Sequence, residues 1–125
     1  MPRVSKASAA HVEDHGPVED RHEDVDGYAI NFLTFRQEID GAPLLKGLPD
    51  DKCQCPHWGY VVTGRLTFRF ADHEETFEAG DAFYVPGGHT PSAAAGTEYV
   101  QFSPADELKL VTDTMLRNLS QAASA

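Results

Sequence analysis

Two cysteines and two histidines stand where metal chemistry could arise. Cys53, Cys55 and His57 are spaced two apart, and they include both cysteines of the chain. Successive side chains on a strand point to opposite faces, so an extended segment puts all three on one face. His89 follows Pro86-Gly87-Gly88. Thiolate and imidazole together suit zinc, iron or copper, whereas magnesium and calcium prefer oxygen. The candidate metal ligands are therefore Cys53, Cys55, His57 and His89. The candidate cofactor is a divalent transition metal, zinc or iron first. Residues two apart on a strand lie roughly 6.5 Å apart at Cα, and residues four apart about twice that. Cys55 and His57 can meet one ion directly. Cys53 and His57 can do so only if the backbone bends, and Pro56 could bend it. His89 must arrive from a neighbouring strand. The same residues admit a plainer reading, in which the cysteines are small buried hydrophobes and the histidines bond to backbone carbonyls. Trp58 and Tyr60 then read as packing residues.

These residues need a scaffold of strands. The run from Tyr28 to Arg36 is rich in aromatic and β-branched residues and predicts a strand. Asp40-Gly41-Ala42-Pro43 predicts a turn. Arg65 to Phe70 alternates strictly, with Leu66, Phe68 and Phe70 inward. Asp72-His73-Glu74-Glu75 reads as a charged hairpin tip, and further strands are expected at 76–78, 82–85 and 97–102. That spacing suits a β-sandwich or β-barrel. Ser103 and Pro104 read as the cap and first residue of a helix over 104–120. Its stripe Leu108, Val111, Met115 and Leu119 predicts a docked face. Residues 1–26 are crowded with Asp, Glu and His and almost devoid of apolar side chains. They read as an acidic, flexible tail whose three histidines would hold a metal only loosely. The expected organisation is a tail over 1–26, a β-domain over 27–103 and the helix over 104–120.

The chain has 125 residues, enough for one core. A formal charge of −10 argues against nucleic acid or an anionic membrane as a main partner. No apolar run approaches the roughly 20 residues of a membrane span. The first residues lack an apolar signal core, so the cytoplasm is the expected location. Cysteines two apart chelate more readily than they cross-link, which fits a reducing compartment. No glycine-rich phosphate loop precedes a helix, so no nucleotide cofactor is expected. A Cys55–His57 nucleophile pair is a weaker alternative.

Tyr60-Val61-Val62-Thr63-Gly64 resembles the Tyr-Val-Leu-x-Gly turn of the cupin superfamily. Gly80-Asp81-Ala82-Phe83-Tyr84-Val85-Pro86-Gly87-Gly88 is similar to that family's second motif in its glycine, five-residue gap, proline and second glycine. The resemblance runs from Cys53 to about Phe102. It implies an all-β fold, a cupin-type antiparallel jelly-roll β-barrel, here followed by the C-terminal α-helix. The family's three-His-one-Glu ligand set does not carry over. His57 falls where the family has its glutamate, Cys53 and Asp51 where it has its first histidines, and Pro91 where it has its last. His89 stands two residues before Pro91, on the same side of an extended segment. The resemblance implies a homodimer, for which the apolar strand from Tyr28 to Phe35 could add to a partner's sheet edge.

Three functions remain open at this point. One is a metal-dependent cupin acting on a small organic molecule. Another is a non-catalytic barrel that binds or senses a small ligand without metal. The last is a structural dimer. In the first, His57 and His89 are expected to face one another across the barrel, with Cys53 or Cys55 close by.

Overall fold

The structure is a computed structural model that describes residues 3–124. Two antiparallel sheets carry the fold. Strands β1 (His11–Asp14), β2 (Val18–Val25), β3 (Tyr28–Phe35), β5 (His57–Thr63), β8 (Ala82–Val85) and β10 (Glu98–Pro104) make the larger sheet, in the order β1-β2-β3-β10-β5-β8. Strands β4 (Ile39–Asp40), β6 (Arg65–Arg69), β7 (Glu74–Glu78) and β9 (Thr90–Ala93) make the smaller one, in the order β4-β9-β6-β7. The sheets face each other in the manner of a jelly roll, but their hydrogen bonding does not close into a continuous barrel. Helix α1 (Ala105–Ser124) follows β10 directly. Among the described residues no helix is long and apolar enough to cross a membrane.

Alternation decides which side chains enter the space between the sheets. Leu66 and Phe68 of β6, Phe83 and Val85 of β8, Val61 of β5 and Tyr99 of β10 are buried in one cluster with Phe35 and Ala93. Arg65, by contrast, is exposed. The turn at Gly64 secures this packing. Its φ of +83° lies in the left-handed region, and a Cβ there would come within 2.5 Å of the Thr97 Cα. Thr97 Oγ1 in turn donates to Arg65 O and accepts from Arg65 N.

Three expectations change. The acidic segment is not a tail, because residues 11–25 supply β1 and β2. Eight residues of β2 pair with β3, from Val18↔Phe35 to Val25↔Tyr28. Inward positions here include Glu13, Asp20 and His22, with Val18 packed on the core, so the strands carry no sustained hydrophobic period. Arg36 clamps the outside through Asp14 at 2.8 Å and Glu19 at 3.4 Å.

The second change concerns β3, which lies between β2 and β10 with both edges paired and so cannot add to a partner's sheet. The third is at the helix start. Pro104 ends β10, the helix begins at Ala105, and Ser103 has another use described below. The apolar stripe does dock. Val111 is buried, Leu108 and Met115 pack beside it against Leu45, Cys53 and Cys55, and Asn118 donates to the carbonyls of Leu44 and Lys46. Leu119, at the far end of the stripe, stays 38% exposed.

Removing residues 1–26 therefore strips a paired edge from β3 and opens the interior. The truncated chain is expected to lose most of its thermal stability or to aggregate, as monitored by circular dichroism melting. A melting curve like that of the full chain would show that β1 and β2 contribute little to the core.

Candidate metal centre

The segment before β5 bends. Cys53 is in a single-residue bridge, Cys55 lies in a bend, and regular strand resumes at His57. The bend brings Cys53 Sγ to 3.6 Å from His57 Nε2, although four residues separate them. His89 arrives from the segment after β8. Cys53 N–H donates to His89 O at 2.9 Å, and the N–H groups of Gly88 and His89 donate to Cys53 O at 2.8 and 3.2 Å. This approach requires glycine at position 87, where a Cβ would come within 2.8 Å of the Gln54 carbonyl carbon. Pro86-Gly87-Gly88 is thus the turn that presents His89 to Cys53.

Cys53, His57 and His89 each offer a ligand atom, and these atoms lie within 4.8 Å of one another. All three residues are buried. The imidazole centroids are 5.0 Å apart at an interplanar angle of 60°. His89 Nδ1 lies 2.7 Å from Pro86 O, which can only accept, so Nδ1 carries the proton and Nε2 keeps its lone pair. That Nε2 is buried without a hydrogen-bond partner. His57 Nδ1 lies 2.7 Å from Ser103 Oγ. With Nδ1–H donating to Ser103, His57 Nε2 is left free toward Sγ. Both imidazoles are therefore oriented through Nδ1, the arrangement by which metal-binding histidines are usually held. The expectation that His57 and His89 face each other with a cysteine beside them agrees with this geometry. Cys55 stands outside the trio: its Sγ is 3.4 Å from Pro56 O, and it packs with Leu45 and Val111.

Burial sets the charge states. It depresses His57 to about 3, with the neighbouring His89 adding to the effect, and it lowers His89 as well. Burial raises Cys53 to about 11 and Cys55 to about 12. Without a cation the centre is two neutral imidazoles and a neutral thiol.

A cavity of about 230 Å³ opens beside the trio. Cys53, His57, Tyr99 and Gln101 line one part of it, with Leu33, Phe35, Leu66 and Phe68 as apolar walls. Helix α1 closes a side through Val111 and Met115. A second polar wall comes from β1 to β3, where Glu13, His15, Asp20 and Asn31 reach the same space. Burial first, then Asp20 and, once it has ionised, Cys53 push the Tyr99 phenol upward. Sequence reasoning missed this wall and Ser103. An inward polar residue on a strand looks like an outward one until the partner strand is known. Phe68, Phe83 and Tyr99 are buried, but Trp58, Tyr60 and Tyr84 point out to solvent.

These charge states fix a pH dependence. Below 6.5 the unfolded chain protonates His57 and His89, while the folded chain keeps them neutral. Unfolding then takes up protons, so stability is lost as pH falls from about 6.5 toward 3. Above 9.0 the unfolded thiols ionise while the folded ones stay protonated, so stability is also lost as pH rises toward about 11. Asp20, raised by burial, partly opposes the acid limb. Chelator-treated protein is expected to show a plateau in denaturation midpoint between these limbs, and His57→Asn should flatten the acid one. An acid limb unchanged by that substitution would mean that His57 is not held neutral.

No protein-family model matches the chain, and no curated protein sequence matches it. Solved structures do. An RmlC-like cupin from Shewanella frigidimarina matches with a TM-score of 0.57 and 19% identity, over 83% of this chain and 92% of that one. The polyketide cyclase RemF from Streptomyces resistomycificus matches with a TM-score of 0.58 and 14% identity, over 83% and 79%. A mutant oxalate decarboxylase from Bacillus subtilis matches with a TM-score of 0.59 and 14% identity, over 81% of this chain and 28% of that longer one. Two facing antiparallel sheets, the turns at Gly64 and Gly87, and these matches together show that the chain has the cupin fold.

Proposed function

We propose that the chain is a small metal-dependent cupin whose cavity binds, or acts on, a small organic molecule beside an ion held by Cys53, His57 and His89. The observation that carries this reading is His89 Nε2, a buried acceptor that no group among the described residues satisfies. Leaving such an atom unpaired costs about 1–3 kcal/mol. Its lone pair shares the space with Cys53 Sγ and His57 Nε2, and the donor set fits a divalent transition metal, zinc or iron first. When bound, such an ion supplies Lewis-acid polarisation of a substrate oxygen.

The chain's own residues do the rest. Pro86 O and Ser103 Oγ hold both imidazoles with Nε2 toward the centre. Cys53 would hold the ion as its thiolate, its proton passing to solvent, and would bring a negative charge to a site that is otherwise neutral. Leu33, Phe35, Leu66 and Phe68 exclude water, while Tyr99 and Gln101 offer polar contacts. At about 230 Å³ the cavity is smaller than the ~300–1,000 Å³ of most drug-sized ligand sites, which favours a compact molecule. Two of the matching structures are named as a polyketide cyclase and an oxalate decarboxylase, which supports an organic substrate class without selecting one. The apolar walls equally support a second reading, a barrel that binds a small ligand without metal. A cytoplasmic location belongs to the same proposal and is supported by two free, buried cysteines. The charge of −10 supports a partner other than nucleic acid.

A homodimer completes the reading. On the outer face of the larger sheet, Tyr84, Trp58, Phe102 and Ile30 are successive cross-strand neighbours, and Ala82, Tyr60, Val100 and Phe32 form the next row. Trp58, Tyr60, Tyr84 and Phe102 are 41–50% exposed. Across β8, β5, β10 and β3 neither row contains a charge; Glu23 and Arg21 of β2 continue the rows beyond Ile30 and Phe32. In a chain this acidic, an uncharged apolar face is where a second copy can approach without repulsion, and an identical patch is its simplest complement.

Protein purified without chelators is expected to hold about one zinc or iron per chain by elemental analysis. Cys53→Ser and His89→Ala should lose it, and Cys55→Ser should keep it. Metal-free wild-type protein that still binds a compact ligand would favour the second reading. Sedimentation is expected to give twice the chain mass, reduced to the monomer by Trp58→Glu; a monomeric wild type would remove the dimer.

A further inference from the structure

We propose that Glu13, Asp20 and His22 form a second divalent-cation site, richer in oxygen than the trio, with the Asn31 amide oxygen as a further ligand. It rests on β1 to β3 rather than on the segments that carry Cys53 and His89. Their ligand atoms lie within 4.8 Å of one another, and Glu13 Oε1 is 3.5 Å from His22 Nε2. Register explains the convergence: Glu13 pairs with Asp20 across β1 and β2, and His22 pairs with Asn31 across β2 and β3. Side chains of directly paired residues lie on the same face of a sheet.

An independent observation points to a missing ligand. Asn31 is 5% exposed, and its Nδ2 donates to both Asp20 oxygens at 3.0 and 3.2 Å. The amide is thereby held against the cluster, and its Oδ1 is buried with no partner among the described residues. Exchanging oxygen and nitrogen would set Oδ1 against the carboxylate, so the orphan is inherent to the arrangement. Glu13 is paired only with imidazoles, His15 at 3.7 Å and His22 at 3.5 Å, and no permanently charged cation of the described residues neutralises the acids. Among the described residues no Lys or Arg is ion-paired with Glu13 or Asp20; Arg21 goes to Glu19, and Arg36 to Asp14 and Glu19. Two carboxylates, one imidazole and one amide oxygen suit a harder cation than thiolate and two imidazoles do, with manganese(II) as the natural probe. The wall faces the same cavity as the trio. Three strand spacings, about 14 Å along the sheet, separate β2 from β5, so the two sites would address opposite ends of one bound molecule.

Manganese(II) titration of the full chain, followed by electron paramagnetic resonance, tests this. Wild type and Cys53→Ser are expected to bind one ion per chain with similar affinity. Asp20→Asn should weaken binding roughly tenfold or more, since even indirect ligand support is worth that much. Glu13→Gln, at a more exposed position, should do the same and serves if Asp20→Asn does not fold. No uptake by wild type, equal uptake by folded Asp20→Asn or Glu13→Gln, or loss on Cys53→Ser would overturn the proposal. None of these results bears on zinc or iron at the trio, which is read by elemental analysis.

Discussion

The approach of the turn at Gly87 to the backbone of Cys53 is the contact on which the site depends. Three backbone hydrogen bonds join Cys53 to Gly88 and His89, and they form only because no side chain at position 87 keeps Gln54 away. That contact joins the segment before β5 to the segment after β8. It also holds Cys53 off the straight path of β5, so its thiol turns back toward His57. A thiol and two imidazoles that could not meet along one strand converge because two segments are tied side by side.

Packing around this contact divides labour between the two faces of the same residues. Cys53 and His57 line the cavity, and the buried His89 sets its donor atom beside theirs. Behind them, Pro86 O and Ser103 Oγ hold the imidazoles, and Cys55 fills the space against Leu45 and Val111. The helix therefore supports the site indirectly, by covering the bend that carries the cysteines. Burial then keeps both imidazoles neutral, with their lone pairs available. The other end of the cavity follows a different logic. There β1 and β2 turn acids and histidines inward, and solvated carboxylates at the rim give way to a half-buried Asp20. One cavity is thus lined by Cys53 and His57 on one part and by Glu13, Asp20 and Asn31 on another, with Tyr99 and apolar side chains on the same wall.

Much of this was legible in residue order. Strict alternation from Arg65 to Phe70, the turn residues at Gly64 and Pro86-Gly87-Gly88, and the helical stripe after Pro104 identified a cupin-like β-fold with a terminal helix. The two cysteines and two histidines were named as ligands because their chemistry is distinctive. Strand pairing was not legible. A strand whose inward side chains are Glu, Asp and His carries no hydrophobic period, so residues 11–25 read as a tail. For the same reason the direction of Trp58 and Tyr60 was misread: alternation groups them together, but only the position of the opposing sheet says which face is inside.

The sequence by itself determined the local conformations, because glycine, proline and β-branched residues restrict the backbone wherever they stand. It also determined the chemical kinds of ligand available. Only the tertiary structure decided which of them meet. Cys53 joins the histidines and Cys55 does not, because a bend and a cross-segment bridge, set by contacts some 35 residues apart in the chain, choose between thiols that residue spacing treats alike.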